Sequence, residues 1–504
     1  MQTILSFLPI VSLLICLLIF KFPAGKSGAI SFLIALAISL FTFKPGLDGL
    51  AIMLSKGFGL ALFVVFIIWG AMFLYNMVKE VGALEVINQN IQIIVEDRYV
   101  QFMLLAWVFA AFLQGIAGFG IPVIVVAPIL ISMGFDPVIS AVGVLLGHSW
   151  SISFGSMGSS IYAIDMVTDA PVGDIVVYMA LFGALSMLCM GLAVSFIYGG
   201  KKAVLTGLPY VLITTATMSL TLYVLASLEM VSVLGLSTGT VGLVTMYLVY
   251  KLKHRSSSRK SLYSSKLSPV ESVLPYILII VFSVAFFIIN PSLQLTLDFP
   301  GYEALSGTVI EAEENYVKFN ILKYPFCIIM LASAISMLVY KKRGCFSLDT
   351  MKTVLNATVK KCVPTTITLI FLLCMAQIMM DSQMIASMAA VLVSLAGSLY
   401  PLISPFIGLL GAFITGSNTN SNVLFGALQE SSAISLGLSV PIMCAAQSLG
   451  ASVGGAIGPT TVALGATSAQ IIGEESKIYK YTLVPVLLTA LLQGIVNYLL
   501  LTVL

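Results

Sequence analysis

Leu410-Gly411-Ala412-Phe413-Ile414-Thr415-Gly416-Ser417-Asn418-Thr419-Asn420-Ser421-Asn422 breaks an apolar run with a dense group of hydroxyl and amide side chains. Gly416 lets the backbone leave a helix, and each peptide group freed in this way is costly if it faces hydrocarbon. The stretch therefore belongs where other protein covers it or where it lines a wet cavity. Downstream, Gly437-Leu438-Ser439-Val440-Pro441 starts a new helix. That helix reaches a second small-polar break through Gln447, Ser448, Gly450, Ser452, Gly454, Gly455, Gly458, Pro459, Thr460 and Thr461.

The same order occurs about 300 residues earlier, as the numbering shows. Leu113-Gln114-Gly115-Ile116-Ala117-Gly118-Phe119-Gly120-Ile121-Pro122 breaks an apolar run. Gly134-Phe135-Asp136-Pro137 then starts a helix, with Asp136 as N-cap and Pro137 in the first turn. It runs into His148, Ser149, Trp150, Ser151, Ser153, Phe154, Gly155 and Ser156. Paired Gly/Pro-interrupted segments at matching positions point to a transporter's midplane site. Gly118–Pro122 and Gly416–Asn420 are accordingly expected to be non-helical and close together.

Outward from these segments the chain is apolar nearly throughout. Of 504 residues, 59% are hydrophobic and 9% charged, against about 25% charged in soluble domains; the mean hydropathy is +1.08. The apolar runs are too long and too even for a barrel, which leaves helices. The expected fold is an all-α polytopic membrane protein of about 12–14 spans, in two inverted repeats with broken or re-entrant helices. An N-terminal half at 1–250 carries the broken segment 113–160, and a C-terminal half at 270–504 carries 409–465. The segment 174–228 reads as two spans, 174–198 and 205–228.

The linker at 251–269 holds Lys251, Lys253, Arg255, Arg259, Lys260 and Lys266. Lys201 and Lys202 lie two spans before it, and Lys341, Lys342 and Arg343 two spans after, so all three groups are placed in the cytoplasm. The acid-rich stretch 291–320 falls outside. The first apolar run has no basic lead or small-residue cleavage site and reads as a retained helix.

No Lys or Arg lies between Arg98 and Lys201 or between Lys361 and Lys477, and these intervals contain both broken regions. An anion bound there would be held by helix N-termini, backbone N–H groups and Ser, Thr or Asn donors. The same oxygens would suit Na+. The candidate substrate ligands are Gly118, Gly120, Ser153, Ser156, Thr415, Gly416, Ser417, Asn418, Thr419, Asn420, Ser452 and Thr460. His148, Asn422 and Glu430 are the coupling-ion candidates. Small-polar helix packing competes with this reading, most of all at Gly454, Gly455 and Gly458. For His148 the competing reading is a neutral ring bonded within the helix packing.

Seven Cys are scattered without paired spacing. No metal-ligand cluster, P-loop, dinucleotide fingerprint or nucleophile elbow is present in the sequence, so an enzyme, a cofactor and a nucleic-acid partner are not expected.

The chain resembles the L-lactate permease family. The likeness runs through Gly115-Ile116-Ala117-Gly118-Phe119-Gly120-Ile121-Pro122-Val123, Gly134–Pro137 and Ser153-Phe154-Gly155. It resumes through Thr415–Asn422 with Leu424, Phe425, Gly426, Leu428 and Gln429. It closes with Gly454, Ile457, Pro459, Ala463 and Gly473–Ser476. The resemblance implies uptake of L-lactate or glycolate with protons at a prokaryotic cell membrane. Na+-coupled carboxylate symport and cation/proton exchange are the alternatives, and a homodimer is compatible with either. The family pattern carries an Asp where Asn418 stands and a Lys where Gly455 stands, so both charges are absent together here. Ser417-Asn418-Thr419 also resembles the Ser-Asn-Thr tip of divalent-anion/sodium symporters.

Overall fold

The protein is described here by a computed structural model covering residues 2–20, 22–116, 118, 120–253, 266–289 and 293–503. Arg255, Arg259, Lys260 and His254 of the basic linker lie outside the described residues. The first helices are α1 (Gln2–Leu18), α2 (Ala24–Thr42), α3 (Gly46–Glu80) and α4 (Ala83–Ile94). Helix α5 (Arg98–Met103) passes through a π-helical turn at Leu104–Phe109 into α6 (Ala110–Ile116). After the first break come α7 (Ile121–Ser132), α8 (Pro137–Ser149) and the short α9 (Ser159–Asp165). Helix α10 (Val172–Ser227) bends at Gly199 and at Gly200, where φ is +64°, and this bend separates the two expected spans. Then follow α11 (Leu234–Lys253), α12 (Pro269–Ile289), α13 (Pro325–Lys342), α14 (Leu348–Asp381) and α15 (Met384–Ala396). The last elements are α16 (Tyr400–Thr415), α17 (Asn418–Leu436), α18 (Val440–Gly454), α19 (Pro459–Ser468) and α20 (Glu475–Val503).

Among the described residues, 11 helical segments are long and apolar enough to cross a membrane, and three shorter apolar helices accompany them. Two of the segments that meet the breaks are deeply buried. Arg98–Ile116 and Val440–Ile457 are each 89% buried over their most apolar stretch, against 28% for Pro269–Ile289 and 22% for Met384–Thr415, which ends at the Gly416 break. Burial on all sides needs close helix contact, which glycine provides. A Cβ on Gly147 of α8 would lie 2.1 Å from the Ala106 carbonyl oxygen, and one on Gly450 of α18 2.0 Å from that of Pro405. Both halves thus press the second helix of the broken segment onto the first in the same way. Each half also runs helix, break, helix, then helix, break, helix. The partners are exchanged between halves, α7 packing on α19 and α9 on α17, as a two-fold relation requires.

A second bundle stands beside this centre: α14 lies on α2 and α3, and α13 on α3 and α12. Trp69 Nε1 donates to Thr366 Oγ1 at 2.9 Å and Asn76 Nδ2 to Thr358 Oγ1 at 3.0 Å, tying α3 to α14.

The acid-rich stretch after α12 is not an irregular loop. Strand β1 (Gln294–Phe299) pairs antiparallel with β4 (Glu313–Asn320), with a register shift between Leu297 and Phe299. The shorter β2 (Tyr302–Glu303) pairs with β3 (Val309–Ile310). This hairpin straps onto the bundle through the fully buried Lys56 of α3, whose Nζ lies 3.0 Å from Glu313 Oε1 and 4.0 Å from Asp381 Oδ2. Tyr302 donates to Asp381 at 3.1 Å, and Gln377 donates to the other oxygen of that carboxylate at 2.8 Å. Burial, with Asp381 and Glu313 close by, holds the Tyr302 phenol well above its usual pKa, so it remains a donor.

Two details correct the expected breaks. The interruption in the C-terminal half covers only Gly416 and Ser417, and Asn418–Asn422 form the opening turns of α17. Likewise Pro122 is already helical, in the first turn of α7. The reason is capping. Gly416 (φ +68°) ends α16, and Ser417 Oγ accepts the Asn420 N–H at 3.3 Å, which allows a polar run of low helix propensity to begin a helix. At Asp136 the expected cap is present: its Oδ1 accepts the Ile139 N–H at 2.9 Å.

Candidate functional site

The breaks meet around a cavity of about 60 Å³ lined by residues of both halves. Gln114, Gly118, Gly120, His148, Ile152, Ser156, Ser159 and Ser160 come from the first, and Gly416, Ser417, Asn418, Thr419, Gly455 and Thr461 from the second. Among the described residues the lining contains no Lys, Arg, Asp or Glu. Larger hollows lie elsewhere, one of about 520 Å³ beside Phe58 and Phe299 and one of about 400 Å³ beside Glu229 and Lys323. The first is mostly apolar, and the second, though polar, takes no residue from the paired breaks.

Two helix starts face this cavity. Helix α7 begins after Gly120 (φ +75°) with no side-chain cap. Helix α17 begins after Ser417, whose hydroxyl caps the N–H of Asn420 and leaves those of Asn418 and Thr419 in the first turn. The positive ends of two helix dipoles thus point at one small space.

Side chains then join the halves. Ser153 donates its N–H to Ser452 Oγ at 3.0 Å and its hydroxyl to the Ser448 carbonyl at 2.8 Å. Asn418 Nδ2 donates to Ser153 Oγ at 2.8 Å, and Ser452 Oγ donates to the Ser149 carbonyl at 2.6 Å. Thr419 Oγ1 and Ser160 Oγ lie 3.0 Å apart, and Asn422 Nδ2 donates to the Ser160 carbonyl at 2.8 Å. In the N-terminal break, Ser156 Oγ accepts the Gly118 N–H at 2.8 Å. Ser156 (φ +47°) and Met157 (φ +56°) are both left-handed without being glycine. Each such residue costs on the order of 1–2 kcal/mol, and the hydrogen bond to Gly118 helps hold the strained turn.

The expected ligands separate by position. Gly118, Gly120, Ser156, Gly416, Ser417, Asn418, Thr419 and His148 line the cavity, and Ser153, Ser452 and Asn422 support it from behind. His148 is buried, with Nδ1 on the Val144 carbonyl one turn back. Thr415 and Asn420 face the other side of the tip, toward a hollow of about 470 Å³ that Lys26 and Thr365 also line. Thr460 is exposed, but its Oγ1 sits where a Cβ on Gly416 would clash, at 2.2 Å. Glu430 lies two turns beyond Asn422 on α17 and accepts the Asp169 N–H at 2.7 Å, outside the cavity lining. Gln114, Ser159 and Ser160 are lining residues that the sequence reading did not single out. Each adjoins or sits inside a quoted break, and the hydroxyl count alone could have extended the first cluster to Ser160.

Known proteins are similar to this one over nearly the whole chain. The L-lactate permease of Streptococcus iniae is 27% identical over 453 residues, covering 88% of this chain and 94% of the relative. That of Bacillus subtilis (strain 168) is 25% identical, covering 99% and 96%. The glycolate permease GlcA of Escherichia coli (strain K12) is 24% identical, covering 99% and 95%. Among solved structures, the YdaH transporter of Alcanivorax borkumensis superposes with a TM-score of 0.50 at 14% identity, over 94% of this chain and 98% of that one. At that identity the likeness concerns the fold. The family model for L-lactate permease matches residues 2–504, and the chain belongs to that family.

Proposed function

We propose that this protein is a secondary transporter of short 2-hydroxymonocarboxylates, of the L-lactate and glycolate type, driven by an inward cation gradient across the cell membrane. The observation that carries the reading is the pair of helix starts, α7 and α17, at one cavity lined by hydroxyls and amides without a fixed charge. The carboxylate is held by the first-turn N–H groups of Asn418 and Thr419 on α17. The start of α7 contributes its dipole, since the Ile121 N–H is bonded to the Gly118 carbonyl and Pro122 has none. The 2-hydroxyl is held by Ser or Thr oxygens. Each contact contributes on the order of 1 kcal/mol. A handful gives roughly micromolar to millimolar affinity, which suits a ligand that must be released. Relatives named L-lactate permease and glycolate permease support this substrate class.

The family resemblance implies protons as the coupling ion, and His148 is the titratable side chain in the cavity wall. A second reading, Na+, is favoured by the oriented amide oxygens of Asn418 and Asn422. The basic linker at 251–269 divides the halves and lies in the cytoplasm, with the β1–β4 hairpin outside. A cysteine at Ser257 then reacts with impermeant reagents from the cytoplasmic side, and one at Glu314 from outside. The deciding experiment is uptake of labelled L-lactate and glycolate into proteoliposomes under separate pH and Na+ gradients. Uptake of either acid under one gradient is expected. Cation exchange with no carboxylate uptake overturns the proposal.

A further inference from the structure

We infer that Asn418 and Asn422 form a binding site for a monovalent hard cation, Na+ in the first instance, at the inner edge of the cavity. The two side chains lie one turn apart on the same face of α17, and they are 2% and 0% exposed. Both amides have a fixed orientation. Asn418 Nδ2 faces the Ser448 carbonyl at 3.1 Å, and Asn422 Nδ2 faces the Ser160 carbonyl at 2.8 Å. A backbone carbonyl can only accept, so a flipped amide would set oxygen against oxygen. Each nitrogen also has a hydroxyl partner, Ser153 Oγ at 2.8 Å and Ser448 Oγ at 2.9 Å. The amide oxygens are what remain. Neither Asn418 Oδ1 nor Asn422 Oδ1 has a hydrogen-bond partner among the described residues.

The nearest hydroxyl is already engaged: Ser153 Oγ donates to the Ser448 carbonyl at 2.8 Å and accepts from Asn418 Nδ2 at 2.8 Å. The wall offers no ammonium or guanidinium to fill the gap. Two buried amide oxygens one turn apart and without a donor are ligands for a cation, with the Ser160 and Thr419 hydroxyl pair nearby as further oxygens. The absence of a carboxylate in the lining favours a single charge over a divalent ion.

This inference deepens the carrier reading and rests on it for the coupling role alone. The carboxylate sits at the N-terminus of α17 and the cation on that helix's first two turns. Both ligands order the same segment, so each raises the affinity of the other by the same factor.

The test uses the full-length protein in detergent, titrated with NaCl against choline chloride at constant ionic strength. Thermal unfolding is the readout. We expect the midpoint to rise saturably with Na+ and to stay flat with choline. Asn418→Ala and Asn422→Ala should each need at least tenfold more Na+. Equal midpoints for wild type in Na+ and choline overturn the site, and this holds even if the alanine variants fail to fold. Labelled L-lactate uptake keeps the two readings apart. Uptake in Na+-free choline medium together with a flat Na+ titration sinks the site and leaves the carrier. A saturable Na+ response without uptake of either acid supports the site and sinks the carrier.

Discussion

Ser452→Ala tests whether hydrogen bonds between the halves set the shape of the site. Ser452 is fully buried on α18, and its hydroxyl is the acceptor for the Ser153 N–H and a donor to the Ser149 carbonyl. The Ser149 carbonyl keeps a second partner, the Ile152 N–H at 3.3 Å. The Ser153 N–H has no such reserve, so alanine leaves one buried donor unpaired, at about 1–3 kcal/mol. That cost falls on the conformer in which the Ser149–Ser153 turn is correctly placed against α18. If the protein must reach this conformer to bind, the apparent dissociation constant rises by the inverse of its population, roughly 5- to 150-fold. The assay is binding of labelled L-lactate to purified protein, with thermal unfolding alongside. Ser336→Ala is the control: that hydroxyl is equally buried but bonds only to Ala332 of its own helix, away from the breaks. A Ser452→Ala protein with wild-type affinity and wild-type melting would refute the reasoning.

Lys56→Met leaves Asp381 buried with only neutral partners. Breaking a buried pair costs about 3–5 kcal/mol, and the low end applies because Glu313 is 41% exposed. The melting temperature should fall, and adding Asp381→Asn should restore most of it; an unchanged single variant would show that the pair does not hold the hairpin. Gly450→Ala should abolish folding or transport, because its Cβ would lie 2.0 Å from a backbone oxygen of α16, whereas Gly437→Ala meets nothing within 4 Å. The latter loses only on the order of 1–2 kcal/mol for its left-handed backbone, so similar expression and melting of the two variants would contradict the packing. Carriage of one monocarboxylate with one cation through an uncharged cavity should be electroneutral. A valinomycin-set K+ potential should leave initial uptake rates unchanged, and a steep rise with inside-negative potential would require a second cation.

The positions of the breaks were legible because membrane helices seldom place Gly, Ser, Thr and Asn so densely, and Asp136-Pro137 announces its helix start in the residues themselves. The extent of the second break was not legible. Asn418-Thr419-Asn420-Ser421-Asn422 has low helix propensity, and its helicity depends on the Ser417 cap and on burial against α18 and α9. Lys56 gives no sequence sign of its role, since its partners stand 257 and 325 residues away and one of them is on a hairpin. Strand β1 does alternate, with Leu295, Leu297 and Phe299 between Gln294, Thr296 and Asp298, but it is short and lies in an acid-rich stretch, and β4 breaks the alternation at Tyr316-Val317. The left-handed Ser156 and Met157 are invisible for a related reason. Neither residue type favours that backbone, and only the Gly118 contact and the surrounding packing impose it.

The distribution of hydrogen bonds also bears on how such a site opens. Ser153, Asn418, Ser448 and Ser452 knit the breaks of both halves into one unit, so a motion that parts the halves at the cavity would strand several buried polar groups together. Trp69 with Thr366 and Asn76 with Thr358 likewise hold α3 and α14 within the neighbouring bundle. Across the seam between these two bodies the contacts include aromatic ones, Phe63 on Tyr162 with ring centres 5.4 Å apart and Phe112 on Tyr276 at 5.5 Å. Apolar rings can slide and repack without leaving an unpaired donor, so displacement along this seam is the less costly of the two motions. A carrier that keeps its ligands bound while it changes its opening gains from that arrangement: the cavity moves with both helix starts and both amides in place, and affinity is preserved until the path outward is clear.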